Sequence, residues 1–215
     1  MGKGRILLVG GGGHCRSVLD CLLRSGIYDE IGIVDRDPNA GSSLIKTPII
    51  GTDDDLPALF ADGWANAAVT LGSVGHPSRR QSLYQRLKEI GFTLPPIIDC
   101  SSVVGYETEL QEGAFIGKRA VINCRVQVGP CSIINTGAII EHDCQIGSFA
   151  HISPGATLCG EVFIGENTHI GAGTVVRQQL RVGRDSIIGA GSVVIKSIPD
   201  AVEAFGNPCR VVNML

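Results

Sequence analysis

From Ile98 onward every sixth residue is aliphatic: Ile98, Val104, Leu110, Ile116, Ile122, Val128, Ile134, Ile140, Ile146, Ile152, Leu158, Ile164, Ile170, Val176, Val182, Ile188 and Val194. Ile, Val and Leu make up roughly a quarter to a third of an ordinary chain, so this unbroken phase is not chance. The residue two places earlier is mostly Ala, Ser, Thr or Cys, with Val126, Val162 and Leu180 as larger members. Two inward residues separated by one outward residue describe a short β-strand. The residue after each aliphatic is often Gly or Asn, as at Gly105, Gly117, Asn123, Gly129 and Asn135. Those types accept a positive φ, so a tight corner is expected there. A six-residue period with this inward pattern predicts a hexapeptide β-helix with three flat faces, about 18 residues per coil. The aromatic content of 5% and the 29 glycines suit a thin prism filled by small and branched side chains.

Residues 1–95 follow a different rhythm. Apolar runs at Arg5–Gly10, Ile31–Asp35 and Ala67–Gly72 alternate with helical stripes. One stripe carries Val18, Leu19, Leu22 and Leu23 and stops at Gly26; another opens at Pro77 and closes at Gly91. Alternating strands and helices imply a small Rossmann-like α/β domain with a parallel sheet, whose ligands sit beyond the carboxyl ends of the strands. The expected organisation is an α/β domain over 1–95, the β-helix over 96–198 and a tail over 199–215.

Composition narrows the partners. A net charge of −3 advertises no basic face for nucleic acid. No apolar run approaches the roughly 18 residues of a membrane span. The 8 cysteines form no CxxC pair, which argues against a structural zinc site. The opening stretch "MGKGRILLVGGGGH" lacks a signal-peptide pattern, so a cytoplasmic location with reduced thiols is expected.

Three features could carry chemistry. His142 lies two residues after the inward Ile140, a corner phase outside the prism, with Glu141 and Asp143 beside it. It is either a solvated surface histidine or a general base. An imidazole titrates near 6.5 and suits proton abstraction at neutral pH, and a neighbouring carboxylate can hold its tautomer. His151 and His169 differ by one coil and should stack about 4.8 Å apart on an outward face. A stacked pair could hold a metal, but the closer histidine spacing of the β-helix carbonic anhydrases is absent, and no metal is expected. The stretch "GGGGHC" (Gly10–Cys15) follows a strand and opens a helix, a geometry that presents backbone N–H groups to phosphate. Asp35 ends the second strand, where an acid reading a ribose would sit. A nicotinamide cofactor is compatible with this, although Cys15 replaces the third glycine of the dinucleotide pattern and no dehydrogenase machinery follows.

Repeats such as "IGENTH", "IGAGTV" and "IGAGSV" resemble those of the left-handed β-helix acyltransferases. The leading "VGGGGH", the block "INTGAIIEHDCQIGSFAHISPGA" and the tail "GNPCRVV" resemble the bacterial sugar O-/N-acyltransferases. That family includes nucleotide-amino-sugar N-acetyltransferases and sialic-acid O-acetyltransferase-like proteins. The resemblance implies a left-handed β-helix, a homotrimer, and acetyl transfer from acetyl-CoA to the amine of a nucleotide-linked 4-amino-4,6-dideoxy sugar. It makes His142 the general base and Asp143 its partner. It places the nucleotide sugar on Gly12, Gly13, His14, Asp35, Arg36 and Gly72, with Asn135 near the substrate. Acetyl-CoA would meet His151, Gly160, Gly171, Ala172, Gly189 and Ala190, with His169 left at the surface. The small residues among these are equally explained by tight corners. Two other readings stay open: O-acetylation of a sialic-acid-type sugar, and a non-catalytic nucleotide-sugar-binding protein.

Overall fold

The computed structural model describes residues 4–36, 43–75 and 77–215; Met1–Lys3 of the opening stretch lie outside it. Two compact units emerge: residues 1–72 with 78–97, and residues 73–77 with 98–215.

The first unit is built on a five-stranded sheet. Its strands are β1 (Arg5–Val9), β2 (Glu30–Val34), β3 (Ser43–Leu44), β4 (Thr47–Gly51) and β5 (Asn66–Val69), in the order β3-β4-β2-β1-β5. Strands β4, β2, β1 and β5 run parallel, and β3 pairs antiparallel with β4. Leu7, Val9, Val34 and Ala67 bury against Leu83, Leu87 and Phe92. Three helices complete the unit: α1 (Gly13–Ser25), α2 (Leu56–Ala61) and α3 (Ser78–Ile90). Helix α1 ends where the sequence says it should, at Gly26, whose φ of 58° no β-carbon hinders.

The second unit is a parallel β-helix. Strands β6 to β22 are two residues long and recur every six residues, from Ile97–Ile98 to Val193–Val194. They stack into three parallel sheets, each strand pairing with the one 18 residues on, as Val121–Ile122 pairs with Ile139–Ile140. Face one contains Val103–Val104, Ile139–Ile140 and Val193–Val194; face two contains Gln127–Val128, Gln145–Ile146 and Phe163–Ile164; face three contains Ile133–Ile134, His151–Ile152 and His169–Ile170. A closing hairpin, β23 (Val202–Gly206) and β24 (Cys209–Met214), extends face three.

The aliphatic column fills the prism from Ile116 to Val194, all almost fully buried. Each such side chain contributes about 1.5–3 kcal/mol of burial. The small column fills the corners, and its hydroxyls are satisfied by corner carbonyls: Ser132 Oγ donates to Gly147 O at 2.7 Å and Thr168 Oγ1 to Gly183 O at 2.6 Å. The first two aliphatic positions break the expectation of an inward row. Ile98 and Val104 are 42% and 37% exposed. They belong to the outermost strands of their sheets, with no coil beneath them to pack on.

The corners also correct the reading of the glycines. Positive φ occurs three residues after each aliphatic, at every sixth residue from Glu107 to Gly191, and not at the glycine immediately following the aliphatic. Those glycines answer to a different constraint. A β-carbon on Gly129 would lie 2.7 Å from Ser148 N, and one on Gly105 would lie 2.6 Å from Cys124 N. Coil-to-coil approach demands glycine there, while the left-handed corner accepts Glu, Arg, Asp or Gln.

Candidate active site

His142 and Asp143 stand on the corner between faces one and two. Backbone bonds from both neighbouring coils fix the corner: Asp143 N–H donates to Cys124 O at 3.1 Å, and Glu161 N–H donates to His142 O at 2.9 Å. Asp143 adopts φ 59°, a left-handed conformation that Asp tolerates better than most residues. This conformation brings its carboxylate back to its neighbour. Asp143 Oδ2 lies 2.8 Å from His142 Nδ1. A carboxylate can only accept, so Nδ1 carries a proton, and in the neutral ring the lone pair is then on Nε2. Both side chains are partly open to solvent, at 50% and 36%.

The coils above and below shape this corner. Gly160 sits one coil on from His142, and a β-carbon there would fall 2.6 Å from Nε2 and 2.7 Å from Cε1. One coil before Asp143, Arg125 Nε lies 3.2 Å from Asp143 Oδ1. Asn123 Nδ2 donates to Glu141 Oε2 at 2.9 Å, drawing that carboxylate away as a second partner for His142. Sequence reasoning missed Arg125 and Asn123. Their signal was the 18-residue offset, 125 from 143 and 123 from 141, which the column arithmetic could have exposed.

His151, on face three, has both ring nitrogens engaged within the unit. Nδ1 lies 2.8 Å from Ser73 O and Nε2 lies 3.1 Å from Asn135 Nδ2. Asn135 Oδ1 accepts Thr136 N–H at 2.8 Å, so its amide presents N–H to the ring. His151 is therefore neutral, protonated at Nδ1. The ring of His169 meets that of His151 edge-on, centroids 4.9 Å apart, in the paired register expected from the spacing. The surface placement expected for His169 is wrong. It is only 7% exposed: the outward row of this face, including Phe115 and Ile133, is covered, and Ser73 and Gly75 lie against it at His151 and Ile187. Burial lowers the tendency of His169 to take up a proton.

Apart from His151 on face three, the residues expected to meet acetyl-CoA divide between two edges of the prism. Gly160 shares the His142 edge, whereas Gly171, Ala172, Gly189 and Ala190 lie with Asn135 on the edge between faces three and one. Face one separates the two edges.

In the first unit, the ends of β1, β2 and β5 bring the expected substrate residues together. Gly11 N–H donates to Asp35 Oδ2, and a β-carbon on Gly72 would sit 3.4 Å from His14 Cβ. A β-carbon on Gly12 or Gly13 would meet nothing of this chain. Internal packing does not require glycine at those two places, which open helix α1 with no side-chain cap. Arg36 follows Asp35 and is exposed. Among the described residues no group of three or more His, Cys, Asp or Glu is placed to hold a metal.

Two family profiles match the sequence: the PglD N-terminal domain over residues 5–87, and bacterial transferase hexapeptide (six repeats) over residues 161–196. PerB from Caulobacter crescentus, solved with CoA and GDP-perosamine, is 34% identical, covers 98% of this chain and 98% of its own, and superposes with a TM-score of 0.90. The acetyltransferase domain of PglB from Neisseria gonorrhoeae, solved with acetyl coenzyme A, is 32% identical over 98% of this chain and 100% of its own, with a TM-score of 0.92. The chain belongs to the sugar acyltransferases of the hexapeptide-repeat family. No curated protein sequence matches it. A further solved relative is a histidine variant of perosamine N-acetyltransferase from Caulobacter crescentus, 33% identical over 98% of this chain and 97% of its own, with a TM-score of 0.91. As a member of the family, the chain is an acyltransferase, and its β-helix is the left-handed one expected from the repeats. Among the described residues no helix is long and apolar enough to cross a membrane.

Proposed function

We propose that this acyltransferase moves the acetyl group of acetyl-CoA onto the amine of a nucleotide-linked 4-amino-4,6-dideoxy sugar, with His142 as general base. One observation carries the reading: the 2.8 Å contact between Asp143 Oδ2 and His142 Nδ1, which leaves the lone pair on Nε2. The likeness to a perosamine N-acetyltransferase bound to CoA and GDP-perosamine supports the substrate class.

The acceptor nitrogen attacks the thioester carbonyl carbon, forming the C–N bond as Nε2 of His142 takes the nitrogen's proton. Asp143 steadies the imidazolium that results. The tetrahedral oxyanion collapses, the C–S bond breaks, and the departing CoA sulfur receives the proton from His142. No acyl-enzyme intervenes in this scheme. Cys144, next to Asp143 in the chain, is buried in the prism and donates to Cys159 O, and desolvation pushes its pKa up to about 11. Gly12 and Gly13 at the start of α1 would take the sugar's phosphates, with His14, Asp35, Arg36 and Gly72 around them.

A homotrimer accounts for the two separated prism edges. Face one exposes Val103, Val121, Ile139 and Val175, an apolar row unusual for solvent. Packing prisms side by side would cover such a row and set the His142 edge of one copy opposite the Gly171 edge of the next, with CoA between them.

A panel of UDP-, GDP- and dTDP-linked amino sugars with acetyl-CoA, read as thiol release, tests the reading. Turnover on at least one amino sugar is expected. Turnover on a sialic acid and on no amino sugar overturns the amine assignment in favour of O-acetylation.

A further inference from the structure

The corner that holds His142 continues as three vertical columns. One runs Gly105, Asn123, Glu141, Cys159; the next Tyr106, Cys124, His142, Gly160; the third Glu107, Arg125, Asp143, Glu161, Gln179. In the third column each residue has the same left-handed backbone, φ between 57° and 59°. Consecutive side chains therefore leave the prism in the same direction and meet their neighbours one coil away. Gln179 reaches back to Glu161 with Nε2 to Oε1 at 3.3 Å, and Arg125 reaches forward to Asp143.

The Arg125 contact divides the Asp143 carboxylate. Oδ1 faces Nε of Arg125 at 3.2 Å and Oδ2 faces Nδ1 of His142 at 2.8 Å. A carboxylate bound on one oxygen alone can rotate about its terminal torsion, which is broad. Bound on both, it has one orientation. That orientation demands a proton on Nδ1 of His142 and thereby reserves Nε2 as the base. The other carboxylates in reach are engaged elsewhere, Glu161 by Gln179 and Glu141 by Asn123.

We propose that Arg125 is a positioning residue of this active site: by gripping Oδ1 of Asp143 it holds Oδ2 on His142 and keeps the imidazole in the Nδ1–H tautomer. This rests on the reading of His142 as the general base. In this role Arg125 acts through Asp143.

The ring-nitrogen shifts of His142 in ¹⁵N-labelled protein, at a pH of about 9 where an imidazole is neutral, report the tautomer without any substrate; the H142A spectrum assigns the signals. R125Q is the central variant, and the corner tolerates it because Gln179 occupies the same left-handed position in the same column. The Nε2–H share is expected to rise about two- to fivefold in R125Q, the scale of an exposed ion pair, and R125K should recover most of the loss. With GDP-perosamine and acetyl-CoA, kcat should fall in proportion to the Nδ1–H share that is lost, while the KM for acetyl-CoA stays put. An R125Q tautomer ratio equal to that of the unmodified protein, alongside a changed ratio in D143N, overturns the role of Arg125 alone. Unchanged ratios in both R125Q and D143N overturn the His142–Asp143 pairing as well. Lack of turnover on GDP-perosamine strikes the substrate assignment and leaves the tautomer measurement standing.

Discussion

The imidazole of His142 occupies the space that any side chain on Gly160 would need: a β-carbon there would stand 2.6 Å from Nε2. Gly160 does not have a positive φ, so alanine is acceptable to the backbone and objectionable only to the ring. Gly160→Ala should therefore cost about 100-fold in kcat by swinging His142 out of line, the scale expected for a displaced catalytic group. The melting temperature should move little. A large drop in melting temperature, or an unchanged kcat, contradicts this account.

Replacing the base itself should be more costly. His142→Ala is expected to lower kcat by about 10²–10⁴-fold, the usual span for a positioned general base. Calorimetric titration with the nucleotide sugar should give an unchanged Kd, because the glycines proposed to take its phosphates, Gly12 and Gly13, lie in the first unit. Unaltered turnover would remove His142 from the role of general base.

The glycines that follow the aliphatics should behave unlike Gly160. Gly129→Ala puts a methyl 2.7 Å from Ser148 N and 2.9 Å from Gly147 C, both backbone atoms that cannot step aside. Overpacking of this kind typically costs about 1–3 kcal/mol. By contrast, Gly137→Asn, at a left-handed corner where a β-carbon meets nothing, should be nearly neutral. Thermal melts of the two variants compare these costs.

Ile139 lies in the middle of the apolar row of face one, 38% exposed. Ile139→Glu should convert the proposed trimer to monomers in sedimentation and abolish turnover with it, while the circular dichroism of the β-helix persists. A variant still trimeric would place the contact on another face.

His169 makes stability depend on pH. Its folded form resists protonation because the ring is buried, so its pKa lies below that of the unfolded chain. The unfolded state then binds more protons as pH falls, and stability contributed above about pH 6.5 is lost progressively below it. His169→Phe should flatten the acidic side of the melting-temperature profile between about pH 7 and pH 5. An equally steep profile in that variant assigns the effect elsewhere.

Much of the prism was legible because its repeat is strictly local. Ile116 to Val194 fall inward for the same reason that Ala138 and Cys144 do, namely the two-residue strand period repeated every six residues. Ile98 and Val104 escape it because burial needs a coil beneath, which periodicity does not report. The glycines were found but explained wrongly: the chemical tolerance of glycine for positive φ is visible in sequence, whereas the approach of Ser148 N to Gly129 is not. His142 was placed outside correctly, but its bond to Asp143 depends on the φ of 59° at Asp143, a conformation that its neighbours in the column adopt without being Asp. His169 was misplaced because residues against an outward face can come from nearly a hundred positions earlier, as Ser73 and Gly75 do here.

Stacking 18 residues per coil turns distance in sequence into height on the prism. Asn123, Glu141 and Cys159 are vertical neighbours although each pair is separated by a full circuit of the chain. A residue inserted within one of the two-residue strands, and not looped out at a corner, would invert which side chains face inward there. Such a scaffold can adapt to a new sugar by exchanging side chains rung by rung while the frame keeps its count.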